Sequence, residues 1–166
     1  DRPMYRTALF VVFLVGLPTV VVNAEIRVTT DRSTPSTTIA STHRVTLDNQ
    51  INLRAEYNKA DGSFIENFAL VLTITSKDWQ YPDCQTINWL LDDQPLELMF
   101  ADREGHVVSY NFVTEVITLT GSMPQLRQLA AAKTIGYQVC GDEYSASLED
   151  LENIRSFLTT VEEHRK

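Results

Sequence analysis

Hydrophobic and polar residues alternate along much of this chain, and a period of two is typical of half-buried strands. Residues 45–57 keep their apolar side chains on one parity, with Asn49 as the exception. Residues 64–75 show the same alternation, and Asp61-Gly62 between the two runs is typical of a tight turn. The pattern therefore predicts an antiparallel hairpin.

Shorter apolar runs continue this pattern. Residues 87–91 predict a third strand, which turns at residues 92–94 into a fourth strand over residues 96–100. A second polar turn, at residues 102–105, leads into a long fifth strand over residues 107–120. Consecutive hairpins of this kind indicate an antiparallel meander.

Two helices are predicted late in the chain, with a sixth strand at residues 135–139 between them. Ser122 is followed three residues later by Gln125, which is a capping-box arrangement. Ser147 and Asp150 mark the start of the last helix in the same way. Apolar residues then recur at the helical period, at Leu148, Leu151, Ile154, Leu158 and Val161.

This order of elements predicts an α+β fold, a mainly antiparallel sheet of about six strands with the two late helices packed on it. A β-sandwich with helical additions is the alternative. The folded part is predicted to be a single domain over residues 44–166.

The N-terminal residues have the features of an export signal. The apolar run 8–22 follows Arg6 and has 15 residues, fewer than the roughly 20 of a spanning helix. Val22-Asn23-Ala24 fits a cleavage site, so we predict a signal peptide over residues 1–24, cleaved after Ala24, and a periplasmic or secreted protein. An uncleaved N-terminal anchor is the alternative. Residues 25–43, rich in serine and threonine, are predicted to form a flexible leader.

Cys84 and Cys140 are the two cysteines of the chain. An oxidising compartment favours a disulfide between them, and their spacing fits neither a zinc pair nor a CxxC redox motif. Two buried free thiols are the alternative.

Charge and motifs narrow the classes of ligand. The formal net charge of −8 disfavours nucleic acid, because phosphate backbones require a basic surface. The sequence predicts no cofactor and no metal, since GxGxxG, P-loop, HExxH and EF-hand motifs are absent from it. After signal cleavage no membrane span is expected, and the predicted partner is a protein or small-molecule ligand of unknown identity.

Four residues are candidates for function. Glu115 shares parity with Val113 and Ile117, so a carboxylate is predicted on the apolar face of a strand. We favour a paired structural group or a side chain turned outward by a bulge, and a general acid or base is the alternative. Trp79 and Tyr81 could form an aromatic platform for a sugar or peptide, or could belong to the core beside the disulfide.

His106 is the fourth candidate, because it follows Asp102 and Glu104 at alternate positions. Side chains with this spacing on an extended segment could hold a divalent metal ion. A polar hairpin turn uses the same residue types without a metal, and we favour that interpretation.

Residues 70–157 resemble small exported bacterial domains of unknown function. The resemblance includes the runs "LLDDQPLEL", "TEVITLT" and "LRQLAAAKTIGYQVCGDEYSASLEDLENIRSF". It implies a secreted bacterial domain and no particular activity.

Together these features predict an exported envelope module that binds a ligand and has no catalytic activity. The alternative is a small periplasmic hydrolase or metal-dependent enzyme that uses Glu115 and His106.

Overall fold

The computed structural model describes residues 25–31, 33, 36–42, 49–58, 65–84, 86–109 and 111–165. The predicted signal peptide lies outside these residues. The described residues form ten strands and two helices. In chain order the elements are β1 Glu25–Thr30, β2 Ser36–Thr42, β3 Gln50–Asn58, β4 Asn67–Ser76, β5 Ile87–Leu91, β6 Gln94–Leu96, β7 Met99–Ser109, β8 Phe112–Ser122, α1 Met123–Ala131, β9 Ile135–Val139, β10 Asp142–Ser145 and α2 Leu148–His164.

The strands form two sheets, and the strand pairs within them are antiparallel. The main sheet has six strands in the order β1-β2-β3-β4-β8-β7. The small sheet has four strands in the order β10-β9-β5-β6. The predicted α+β class is therefore confirmed.

One face of the main sheet carries the core, because its central strands β4 and β8 alternate between buried and half-buried residues. Leu70 and Leu72 of β4 lie opposite Leu119 and Ile117 of β8, and all four are buried. The helix α2 packs against β1, β2 and β3, and α1 packs against β4 and β8. Residues of the small sheet, such as Trp89, belong to the same hydrophobic cluster, so both sheets and both helices share one core.

Both predicted helix starts are confirmed. The backbone N–H of Ser122 donates to Oε1 of Gln125 over 2.7 Å. At the start of α2, the N–H of Asp150 donates to Oγ of Ser147 over 3.1 Å, and the N–H of Ser147 donates to the Asp150 carboxylate over 2.8 Å. Each capping box satisfies backbone N–H groups that have no partner within the helix.

Several strands also agree with the sequence pattern. β3 and β4 form the predicted antiparallel hairpin, and β5 and β9 have the predicted bounds. Asp92 and Asp93 form the turn between β5 and β6, with φ of 48° and 66°. The backbone N–H groups of Thr134 and Lys133 donate to the Asp92 carboxylate and lower its pKa, so this turn also fixes the chain that enters β9.

The prediction of a flexible leader over residues 25–43 was wrong for the described residues, because β1 and β2 belong to the main sheet. Ile39 of β2 is completely buried in the core. Ser41 is buried as well, and its Oγ accepts the N–H of Leu53 over 2.7 Å. Threonine and serine fit strands well when their hydroxyl groups are hydrogen-bonded, so a low apolar content did not prevent folding here.

The predicted meander was also wrong between residues 96 and 120. The predicted fourth strand is divided between β6 and β7, which lie in different sheets, and the predicted turn at residues 102–105 is the middle of β7. The hairpin instead reverses between Ser109 and Phe112. β7 is exposed along almost its whole length, so it carries polar residues that the sequence pattern assigns to a turn.

We predict that Ile39→Ala lowers the free energy of unfolding by about 2–4 kcal/mol, because it removes a fully buried side chain from the core. Val28 lies opposite Ile39 on β1 and is 41% exposed, so Val28→Ala should change that free energy by less than about 0.5 kcal/mol. Urea unfolding measures both values. Equal effects of the two substitutions would show that β2 does not contribute to the core.

Candidate functional site

Glu115 is a carboxylate in the middle of the core face of β8, and its exposed fraction is 0%. Its oxygens accept the backbone N–H of Gln80 over 2.8 Å and that of Tyr81 over 3.0 Å. The Nη2 group of Arg103 donates to Oε1 over 2.8 Å and completes a salt bridge. The carboxylate is therefore paired and hydrogen-bonded on both oxygens, which a buried charge requires.

These contacts attach an irregular segment, residues 77–84, to the main sheet; we call it the clamp loop. Arg103 of β7 also donates to the backbone carbonyl of Pro82 through Nη1. Glu115 and Arg103 thus bind the clamp loop from two neighbouring strands. The arrangement is chemically suited to holding the loop, since both charged groups are used within the protein.

Trp79 lies against β7 beside the strand position opposite Glu115. A Cβ atom added to Gly105 would lie 2.1 Å from Cζ3 of Trp79, so the indole packs directly on the glycine backbone of β7. Gly105 lies opposite Glu115 in the β7–β8 pair. The ring is nevertheless 45% exposed, and it presents an aromatic surface beside β7.

Tyr81 points into the core, in contrast to Trp79, and is 5% exposed. Its hydroxyl group donates to the Asp142 carboxylate over 2.7 Å and forms a hydrogen bond with the hydroxyl group of Tyr144. Trp79 and Tyr81 therefore do not form a common aromatic platform. Burial, followed by the hydrogen bonds to Tyr144 and Asp142, raises the pKa of Tyr81.

An aromatic ladder crosses the small sheet behind Tyr81. Trp89, Tyr137 and Tyr144 occupy directly opposed positions on β5, β9 and β10. Their rings stack, with centroids 4.9 Å apart for Trp89 and Tyr137 and 5.3 Å apart for Tyr137 and Tyr144. Burial and the nearby charge of Asp150 raise the pKa of Tyr137. Stacked cross-strand pairs of this kind stabilise a sheet.

The predicted disulfide is confirmed. It joins Cys84 at the end of the clamp loop to Cys140 in the turn between β9 and β10, with the two Cα atoms 5.8 Å apart. The clamp loop is therefore fixed to the main sheet through Glu115 and to the small sheet through the disulfide.

His106 does not approach Glu115. It lies opposite Thr114 on β7, whereas Glu115 lies opposite Gly105, so the two side chains are on opposite faces of the main sheet. The Nε2 atom of His106 is 3.4 Å from the Glu104 carboxylate, and both side chains are exposed. Within the described part of the chain there is no group of three histidine, cysteine, aspartate or glutamate side chains that could hold a metal ion.

The structure adds a feature that sequence reasoning missed, the outer edge of β7. β7 is the last strand of the main sheet, and among the described residues no strand pairs with its free edge. Its ends carry the apolar pairs Met99-Phe100 and Val107-Val108, which are exposed. The sequence could have indicated this surface, because consecutive residues of a strand point to opposite faces of the sheet. When the core lies on one face, at least one residue of each apolar pair is left outside it.

Two surface cavities lie next to β7. A groove of about 560 Å³ is present where β6 ends and β7 begins, and its walls include Leu90, Leu96 and Met99. A smaller cavity of about 350 Å³ separates the clamp loop from β7, and its walls include Asp83 and Asp102. The surface around β7 therefore combines apolar and acidic parts.

Comparison with known proteins gives no match: no family model fits the chain, and no curated protein or solved structure is detectably similar to it. The resemblance to small exported domains stays a prediction. Neither helix of the described residues has the length and apolar character needed to cross a membrane.

We predict that Glu115→Gln lowers the free energy of unfolding by about 3 kcal/mol or more, because it leaves Arg103 without its buried partner. Glu104→Gln removes an exposed carboxylate from the neighbouring strand and should change that free energy by less than about 0.5 kcal/mol. Urea unfolding at neutral pH compares the two variants. A fully stable Glu115→Gln protein would contradict a structural role for this carboxylate.

Alkaline pH should also destabilise the protein. Tyr81 and Tyr137 keep their protons in the folded state above the ordinary tyrosine pKa of 10.0, at which the unfolded chain releases them. Their stabilising effect is complete below about pH 10 and declines above it, by about 1.4 kcal/mol per tyrosine at pH 11. Urea unfolding at about pH 9 and pH 11 measures the decline. Tyr137→Phe should reduce it, and an unchanged decline would contradict the prediction.

Proposed function

We propose that this protein is an exported binding module without catalytic activity, and that its ligand is an extended segment of a partner protein that pairs with the free edge of β7. The observation that carries the proposal is the distribution of exposed apolar side chains. Among the described residues, eight large hydrophobic side chains are exposed, and four of them belong to this one strand: Met99, Phe100, Val107 and Val108.

The free edge of β7 is long enough to bind a segment of this kind. An unpaired strand edge presents backbone N–H and C=O groups that can pair with another strand, and several peptide-binding domains use such an edge. β7 has 11 residues, whereas β1, β6 and β10, the other outermost strands of the two sheets, have six, three and four. The longest outer strand is thus also the most apolar one.

β7 is only partly protected against pairing. Two features limit non-specific association of this strand with other strands. One is the pair of register shifts, between Phe100 and Asp102 and between Val107 and Ser109, and the other is the charged residues in its middle. The apolar ends remain uncovered, with Met99 73% and Val107 69% exposed. Exposed apolar surface next to polar residues is typical of binding sites.

The disulfide supports the exported location, because such bonds persist in oxidising compartments. A periplasmic or secreted protein, released by cleavage after Ala24, is part of the proposal. The enzymatic alternative has less support. Glu115 is fully engaged with Arg103 and the clamp loop, and His106 lies on the opposite face of the sheet.

Photo-crosslinking in the producing cells tests the proposal. A photoreactive amino acid replaces Val108 on β7 in one variant and Val28 on β1 in the control, since both residues are exposed on outermost strands of the same sheet. We expect adducts with a specific protein from the Val108 variant and none from the Val28 variant. Equal adducts from the two variants, or none from the Val108 variant, would refute β7 as the binding surface.

A further inference from the structure

The two sides of β7 differ in chemistry. Residues directly opposite each other in an antiparallel pair share a side of the sheet. Phe100 and Val107 lie opposite Leu119 and Val113, which places them on the core side. The exposed ring of Trp79 lies over Gly105 between them. This side of the free edge is therefore apolar apart from Arg103, whose charge is paired with Glu115.

The outer side of β7 begins with the apolar Met99, opposite Thr120, and is acidic in the middle of the strand. Asp102 and Glu104 lie opposite Thr118 and Val116, the half-buried residues of β8 that face away from the core. His106 follows on the same side and contacts Glu104. With histidine neutral, the outer side of β7 carries two negative charges and no positive charge.

Arg103 does not offset these charges. Its side chain is 19% exposed, and its guanidinium group is bound to Glu115 and the carbonyl of Pro82 on the core side. The cavity between the clamp loop and β7 is lined by Asp83 and Asp102, and Arg103 lies in the same lining. Arg103 is thus the one positively charged residue of β7, and its charge is neutralised by Glu115. The other formal charges of β7 and of this cavity, Asp102, Glu104 and Asp83, are negative.

We infer that the segment bound by β7 alternates apolar and basic side chains. This inference rests on the proposed function, and it adds the chemical class of the partner. Successive side chains of an added strand point to opposite sides. Apolar side chains would meet Phe100, Trp79 and Val107, and lysine or arginine side chains at the intervening positions would meet Asp102 and Glu104. Opposite charges on neighbouring strands favour pairing, and like charges oppose it.

The experiment uses the disulfide-bonded protein and three synthetic peptides of about ten residues. One alternates valine and lysine, one alternates valine and glutamate, and one has the first composition with valines and lysines in separate blocks. Fluorescence anisotropy measures the dissociation constants. We expect the alternating valine–lysine peptide to bind at least about tenfold more tightly than either other peptide.

Matched variants locate the binding. The double variant Asp102→Asn, Glu104→Gln should bind the alternating valine–lysine peptide about five- to tenfold more weakly, because two cross-strand charge pairs are lost. Glu143→Gln with Glu163→Gln removes the same charge from exposed positions elsewhere and should leave binding unchanged. Val107→Asp should weaken binding although it adds a negative charge, because it removes an apolar contact on the core side.

The possible failures are distinct. If Val107→Asp weakens binding of both alternating peptides equally and they bind equally well, the edge binds strands but the basic partner is wrong. Equal binding of the alternating and block peptides, or equal effects of the two double variants, would reduce the interaction to net charge and refute the inference. Absence of binding by all peptides, or self-association of the protein through β7 in light scattering, would also refute it.

Discussion

The burial of one carboxylate, Glu115, is the constraint on which this structure depends. A carboxylate in the core of a sheet is unfavourable unless charge and hydrogen bonds compensate it. The compensation comes from Arg103 on the next strand and from two backbone N–H groups of the clamp loop. The loop must therefore lie on the sheet, and Cys84 at its end is brought to Cys140. Glu115 and the disulfide thus connect the two sheets through the same short segment.

The same constraint determines the surface of β7. Arg103 is directed inward by Glu115, so β7 presents acidic and apolar side chains but no free arginine to a partner. Trp79 belongs to the clamp loop, and its ring lies over Gly105 because the loop is held there. The binding surface that we propose on β7 therefore depends on a salt bridge that is turned toward the core. In the proposed function, Glu115 would thus affect binding through Arg103 and the clamp loop and not through contact with the ligand.

The sequence contained much of the fold, because parity and spacing report directly on burial. The sequence predicted the alternation in β3 and β4, the shared parity of Glu115 with Ile117, the two capping boxes and the cysteine pair. It did not predict β1, β2 and β7 as strands with these bounds. Their stability comes from neighbouring strands, so serine, threonine and charged residues are tolerated at positions where the sequence suggests a leader or a turn. The candidate site was missed for the same reason, since an edge exists only after the sheet has formed.

The strand order has a consequence for biogenesis. β4 lies between β3 and β8, but β8 is synthesised only after the strands β5, β6 and β7. In an emerging chain that ends before residue 112, β4 can already pair with β3. Its other edge, which pairs with β8 in the complete protein, is still unpaired. Such a chain is at its most aggregation-prone during translation or secretion, because non-local strand pairing is slow and exposed strands associate between molecules. Pairing of β8 with β4 is therefore the step that covers this exposed strand edge.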